Sequence, residues 1–335
     1  MAGAGPGSRG HIGKATKVCL VIADRFEPTA DLLVAELRRR DVRCLRWNLD
    51  CYPNDGTLSY QASNECFEVA VGGDGRTVSL SEVGSIWCRG LRPSGFREDL
   101  SAGDRAFAEL GARRALQALS TVAQAFWINH PEKLMRASAK PAQLALARKV
   151  GLDIPETIVT NDPAAARRFV AAAEGQIIYK SLSQNLDVEI GKALYTGLIT
   201  ETALASLDSI RLTPGIFQTL VPKAYEVRAT VVGERIFAAR IDSQSHEVTS
   251  IDWRHRPFEV DEQPIDLPPD ITAKIHTLMV DLGLVYGAFD FIVTPQGRYV
   301  FLEVNPAGQY MWIEAKTGLP ITAALVDALS APCRL

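Results

Sequence analysis

The stretch from Gly287 to Asn305, GAFDFIVTPQGRYVFLEVN, restricts the possible folds more than any other part of the chain. Two apolar and aromatic runs flank Pro295-Gln296-Gly297-Arg298, a turn sequence, and together they predict a β-hairpin. With those four residues as the loop, Thr294 faces Tyr299, and counting outward in antiparallel register brings Asp290 opposite Glu303. Strand alternation puts Asn305 on the face of Glu303 and turns Phe289, Phe291, Leu302 and Val304 to the other face. Carboxylates placed opposite each other repel, and the pair is tolerated best with a cation between them. Carboxylate and amide oxygens without imidazole or thiolate suit a hard ion such as Mg2+, which commonly completes its shell with water and substrate phosphates. A solvated acidic hairpin edge is the plainer alternative.

A phosphate-bearing substrate also needs basic residues. Lys140 stands just before a helix opened by Pro141, and Lys180 ends the apolar strand QIIYK. Both are positioned to meet phosphate, although a lysine at a strand end is more commonly a surface residue with a buried stem. Between them and the hairpin, FQTLVPKAYEVRATVVG contains an extended linker whose backbone can hydrogen-bond the edge of a base. Glu226 and Arg228 then fall on one face of a strand.

The rest of the sequence divides into segments. KVCLVIA, a helical stretch capped by Thr29, and VRCLRWN make a β-α-β opening. CFEVAVGGDGRTVSL predicts a hairpin around Asp74-Gly75, SIWCR a short strand, and Asp104 to Phe126 a long helix. The glycines of GGDGR lack the spacing of a phosphate loop and open no helix. Asn129-His130-Pro131 breaks the long helix and marks a boundary. The expected organisation is a disordered tail over 1–15, an α/β domain over 16–130, a central unit over 131–213 and a C-terminal unit over 214–335. A length of 335 residues, with 47% apolar and 22% charged, accommodates such a chain of folded units.

Several function classes are disfavoured. A net charge of -3 leaves no basic excess for a nucleic-acid backbone. No apolar run is long enough for a membrane span, and the six scattered cysteines form neither a disulfide framework nor a zinc pattern, so a cytoplasmic setting is expected. No histidine has a partner at metal or nucleophile spacing, and no GxSxG element occurs.

Lys140, Lys180, LVPKAYEVR, IDSQ, DWR, the aspartate of GAFDF and the triplet EVN occur in the order and approximate spacing of the ATP-grasp superfamily, which the chain resembles over about residues 130 to 330. SIWCR, INHPEK, VPKAYEVRATVVG and EVNPAGQYMWIEAKTGLPI add a resemblance to the graspetide (microviridin-type) synthetases, the ATP-grasp maturases of ribosomally made peptides. This resemblance implies a mixed α/β (α+β) ATP-grasp fold behind an N-terminal pre-ATP-grasp domain. It implies ATP and Mg2+, with Lys140 and Lys180 on the phosphates and the backbone of Gln218, Thr219, Leu220 and Val221 on adenine. Glu226 and Arg228 match the ribose and phosphate side, Asp290, Glu303 and Asn305 the magnesium ligands, and Arg254 a basic residue facing the γ-phosphate or acyl phosphate. Many relatives carry an acid where this chain has Gln218-Thr219, so adenine recognition falls to the backbone. The implied reaction is ADP-forming activation of a carboxylate and its capture by a hydroxyl or amine. The implied partner is a precursor peptide with leader and core, and a homodimer is among the admissible assemblies. A ligase of small amino acids or peptides and a non-catalytic nucleotide-binding regulator are the alternatives. A neighbouring reading frame for a short Thr- and Glu-rich peptide would favour the maturase.

Overall fold

The computed structural model describes residues 17–182, 196–245 and 260–332. The chain divides into two compact units, 1–128 with 326–335, and 129–325.

In the first unit, β1 (Val18–Ala23), α1 (Pro28–Arg39) and β2 (Cys44–Asn48) are followed by the antiparallel meander β3 (Thr57–Ala62), β4 (Phe67–Gly73) and β5 (Arg76–Ser79). Then come β6 (Val83–Cys88), α2 (Ala102–Val122) and β7 (Phe126–Ile128). Strands β2-β1-β6-β7 form a parallel sheet in that order. β1 is buried along its whole length, which is why it reads as an unbroken apolar run. Asp74 (φ 52) and Gly75 (φ 73) make the tight turn between β4 and β5, where left-handed backbone suits Asp and Gly.

Two sequence expectations change here. Glu27, not Thr29, caps α1: its Oε1 accepts from Thr29 N–H at 3.2 Å, because Pro28 already occupies the first helical turn. The long helix stops at Val122, and Phe126 begins the short strand β7, an edge element too brief for a periodic signal.

The second unit runs α3 (Pro131–Ala137), α4 (Lys140–Lys149), β8 (Thr157–Thr160), α5 (Pro163–Ala172), β9 (Ile177–Ser181), β10 (Gly197–Leu198), α6 (Glu201–Ala205) and β11 (Gly215–Thr219). It continues with β12 (Tyr225–Val232), β13 (Arg235–Ile241), β14 (Glu262–Ile265), α7 (Pro269–Leu282), β15 (Tyr286–Val293), β16 (Tyr299–Asn305), α8 (Met311–Thr317) and the first half of α9 (Ile321–Ser330), whose residues from Val326 onward count with the first unit. A small sheet has the order β10-β9-β11-β8, and a larger antiparallel one β14-β13-β12-β15-β16. One face of the larger sheet carries Val227, Ala229, Phe289, Phe291, Phe301 and Val304, packed with α7 residues Ile275, Leu278 and Met279. Each buried ring contributes roughly 1.5–3 kcal/mol by leaving water. Among the described residues no helix is long and apolar enough to cross a membrane.

The hairpin β15–β16 brings Asp290 opposite Glu303, as the sequence predicts, but by a different route. Near the turn the register is Val293↔Tyr299 and Phe291↔Phe301, one residue away from the simple count, and a bulge beside Phe291 restores Asp290↔Glu303. Leu302 is the extra residue. Phe301 therefore takes the place on the apolar face expected for Leu302 and is fully buried in the core, its ring centroid 5.8 Å from that of Phe291.

Buried side-chain amides fasten this hairpin. Gln143 of α4 donates to Val304 C=O at 2.8 Å and accepts from Val304 N–H at 2.9 Å, supplying the edge strand with a substitute neighbour. Asn129 accepts from the N–H groups of Val285 and Tyr286 and donates to the carbonyls of Tyr286 and Pro306. Replacing Gln143 with Leu should cost about 2–4 kcal/mol, the penalty for taking this partner from the N–H and C=O of Val304 and the C=O of Ala137. Urea denaturation checks this; an unchanged midpoint would contradict the role assigned to Gln143.

Candidate functional site

The polar face of the larger sheet carries a row of four charges. Register places Arg228 of β12 beside Asp290 of β15, and Asp290 beside Glu303 of β16. The Arg228 guanidinium donates from one nitrogen to both Asp290 oxygens, at 2.7 and 2.9 Å, and from another to Gln309 C=O at 3.2 Å. At the far end Lys140 Nζ lies 3.0 Å from Glu303 Oε2. The row thus reads plus, minus, minus, plus across three strands and one helix. Its side chains are largely covered, from 8% exposed for Arg228 to 20% for Asp290. Burial works against the Arg228 charge, but Asp290 and the more distant Tyr286 and Glu303 outweigh it and raise its pKa.

Asn305 ends β16 opposite Ala288, and its side-chain oxygen accepts from Ala307 N–H at 3.1 Å, folding the chain into a turn. That turn brings Gly308 against the row. A Cβ there would lie 2.7 Å from Ala288 Cβ and 2.8 Å from an Arg228 nitrogen, so only glycine admits this approach.

Glu226 stands two residues before Arg228 on the same face. Lys223 Nζ is 2.6 Å from its Oε1, and both side chains are at most 10% exposed. Burial pushes the Glu226 carboxyl up, against the lowering effect of Lys223 and of a hydrogen bond from Ser243.

The small sheet carries Lys180 near the end of β9, with Nζ donating to Gln218 Oε1 on β11 at 2.9 Å. In the segment from Gln218 to Val221, Thr219 N–H donates to Glu156 C=O and Leu220 N–H to Gln176 C=O. Those two donors are committed within the protein, which narrows what the segment can offer a base.

Asp290, Glu303, Lys140 and Arg228 are therefore one cluster, and Lys180 with Gln218 a second. Arg254, with the DWR motif, lies outside the described residues. Sequence reading overlooked Gln143, Lys223 and the structural part played by Asn129. Gln143 follows Lys140 by three positions, one helical turn, and this spacing is the signal that marks it for the same face. Lys223 likewise precedes Glu226 by three.

Asp290 and Glu303 are cross-strand neighbours and Asn305 follows Glu303 by two residues; carboxylate and amide oxygens without imidazole or thiolate are the donor types a hard divalent ion takes, so the residues present fit Mg2+.

A family profile described as the MvdD pre-ATP grasp domain matches residues 18–135. A search of curated protein sequences returned no match. Among solved structures, macrocyclase MdnC from Microcystis aeruginosa MRC, crystallised with precursor peptide MdnA, is similar with a TM-score of 0.85 at 30% identity, over 94% of this chain and 99% of that one. A RiPP-associated ATP-grasp ligase from Chryseobacterium gregarium, in complex with ADP and a leader and core peptide, gives 0.86 at 28% identity, over 94% and 97%. Macrocyclase MdnB from Microcystis aeruginosa MRC gives 0.81 at 29%, over 93% and 99%. Near-complete coverage of MdnC at this identity, with the matched N-terminal domain and the mixed α/β architecture, shows that the chain belongs to the ATP-grasp peptide macrocyclases, the graspetide-synthetase family of ligases.

Proposed function

We propose that the chain is a cytoplasmic, ADP-forming ligase that closes side-chain ester or amide rings in a ribosomally made precursor peptide. The observation that carries this reading is the charge row Arg228, Asp290, Glu303 and Lys140, an oxygen-rich face built for a cation and flanked by bases for phosphate. The likeness to MdnC, solved with its precursor peptide, supplies the substrate class.

In this reading ATP lies between the small sheet and the polar face of the larger one. Lys180 meets the phosphates from the first and Lys140 from the second. With Thr219 and Leu220 N–H committed, Val221 is left to offer the adenine edge an N–H. Glu226 lies on the ribose side. Asp290, Glu303 and Asn305 would hold Mg2+, which when bound neutralises charge on the transferring phosphoryl oxygens. Arg228 holds the Asp290 carboxylate in place through two hydrogen bonds, and Arg254 is the candidate base for the γ-phosphate or acyl phosphate.

A peptide Asp or Glu carboxylate attacks the γ-phosphorus and ADP departs, leaving an acyl phosphate. A Thr or Ser hydroxyl, or a Lys amine, of the same peptide then attacks the acyl carbon, losing a proton as phosphate leaves. The basic side chains stabilise the charge that spreads over the phosphoryl oxygens, and positioning supplies the remaining acceleration.

Glu303→Gln keeps the shape of the site and removes one charge. Ligation and ADP release should fall by about two to three orders of magnitude, the usual scale for losing one preorganised electrostatic group, while the protein still folds cooperatively. Unchanged turnover would contradict the metal assignment. Removing divalent ions from the parent with EDTA should stop ADP release and excess Mg2+ should restore it; release that continues in EDTA would contradict the same assignment.

A further inference from the structure

The side chain of Gln218 has no part in the proposed function, yet the residue is 3% exposed and its amide is bonded at both ends. Gln218 lies on β11, paired with Thr157 of β8 on one side and with Ile178 of β9 on the other. Strand alternation puts Thr157, Gln218 and Lys180 on one face of the small sheet. The opposite face packs Ile177, Tyr179 and Phe217 into a core with Ala166, Leu207 and Ile210.

Three hydrogen bonds cross that polar face in one direction. Lys180 Nζ donates to Gln218 Oε1 at 2.9 Å, Gln218 Nε2 donates to Thr157 Oγ1 at 2.9 Å, and the Thr157 hydroxyl donates to Pro155 C=O at 2.8 Å. The direction is fixed at both ends, because an ammonium only donates and a carbonyl only accepts. The amide of Gln218 consequently has one orientation available to it, oxygen toward Lys180. Glutamine is the residue this chain of bonds requires. A glutamate could accept from Lys180 but could not donate to Thr157. Its negative charge would also compete with a phosphate for the ammonium, whereas the neutral amide holds Nζ and leaves its charge undiminished.

We propose that Gln218 is a positioning residue, whose side-chain amide, anchored through Thr157 to the backbone at Pro155, aims Lys180 at the nucleotide phosphates. The inference rests on the reading of Lys180 as a phosphate contact, and the test separates the two. Binding of the non-hydrolysable analogue AMPPNP with Mg2+ to the full chain is measured by calorimetry for the parent, Lys180→Met, Gln218→Leu and the double variant, with a thermal midpoint for each. Lys180→Met should weaken binding by about tenfold or more, the scale of one lost charge-assisted contact, and Gln218→Leu by about threefold to tenfold. Because Gln218 acts through Lys180, the double variant should bind no more weakly than Lys180→Met, within about twofold.

Lys180→Met binding as tightly as the parent would overturn the phosphate contact and this inference with it. Lys180→Met weakened, with Gln218→Leu unchanged or with the two losses multiplying in the double variant, would overturn the positioning role alone. Two further variants cover the case in which Gln218→Leu does not fold. Thr157→Val, which removes only the anchor, should weaken AMPPNP binding by about twofold to fivefold, and Gln218→Glu should fold with a lower thermal midpoint, having lost the bond to Thr157, and bind AMPPNP more weakly. Parent-like binding by both would overturn the proposal.

Discussion

Asp290 and Glu303 stand opposite each other on adjacent strands, and the charged residues of the polar face answer the repulsion between them. Two carboxylates in that position destabilise a sheet unless opposite charge is near. Arg228 and Lys140 provide it from the two outer ends of the row, one from the neighbouring strand and one from a helix. Neither pairing links the two acids to each other: Arg228 holds Asp290 and Lys140 holds Glu303. Because breaking a largely covered ion pair leaves an uncompensated charge, each member of the row constrains the identity of the next.

Uncharged amides set the frame within which these charges act. Gln143 fixes the backbone of Val304, the residue between Glu303 and Asn305, and Asn129 ties the start of β15 to the loop after β16 at Pro306. Gln218 fixes its own lysine on the small sheet. A side-chain amide both donates and accepts, so it can complete a strand edge or a relay without adding a charge that phosphate or metal would feel. A carboxylate or ammonium at these places would alter the very field that the row creates.

Much of this was legible in the residues. Period-two alternation and the Pro-Gln-Gly-Arg turn predict the hairpin, and Asp74-Gly75 the first-unit turn, because both depend on local chemistry alone. The bulge beside Phe291 was not legible: Leu302 and Phe301 are equally apolar, and which one enters the core depends on packing against Phe289 and Phe291. Short edge strands such as β7 and β14 carry too few residues for a period to show. The functional residue types and their order marked Asp290, Glu303 and Lys140, whereas Gln143 and the Gln218 side chain emerge only once three-dimensional neighbours are known. A buried glutamine has no sequence signature distinct from an exposed one.

The most direct measurement is mass spectrometry of a candidate precursor, a short Thr- and Glu-containing peptide sought in the reading frames beside the gene, after incubation with the chain, ATP and Mg2+. The account predicts loss of one water per ring formed, dependent on ATP and matched by release of ADP. An unaltered peptide mass, with ADP released only when free amino acids or amines are supplied, would contradict it and assign the site to a small-molecule ligase.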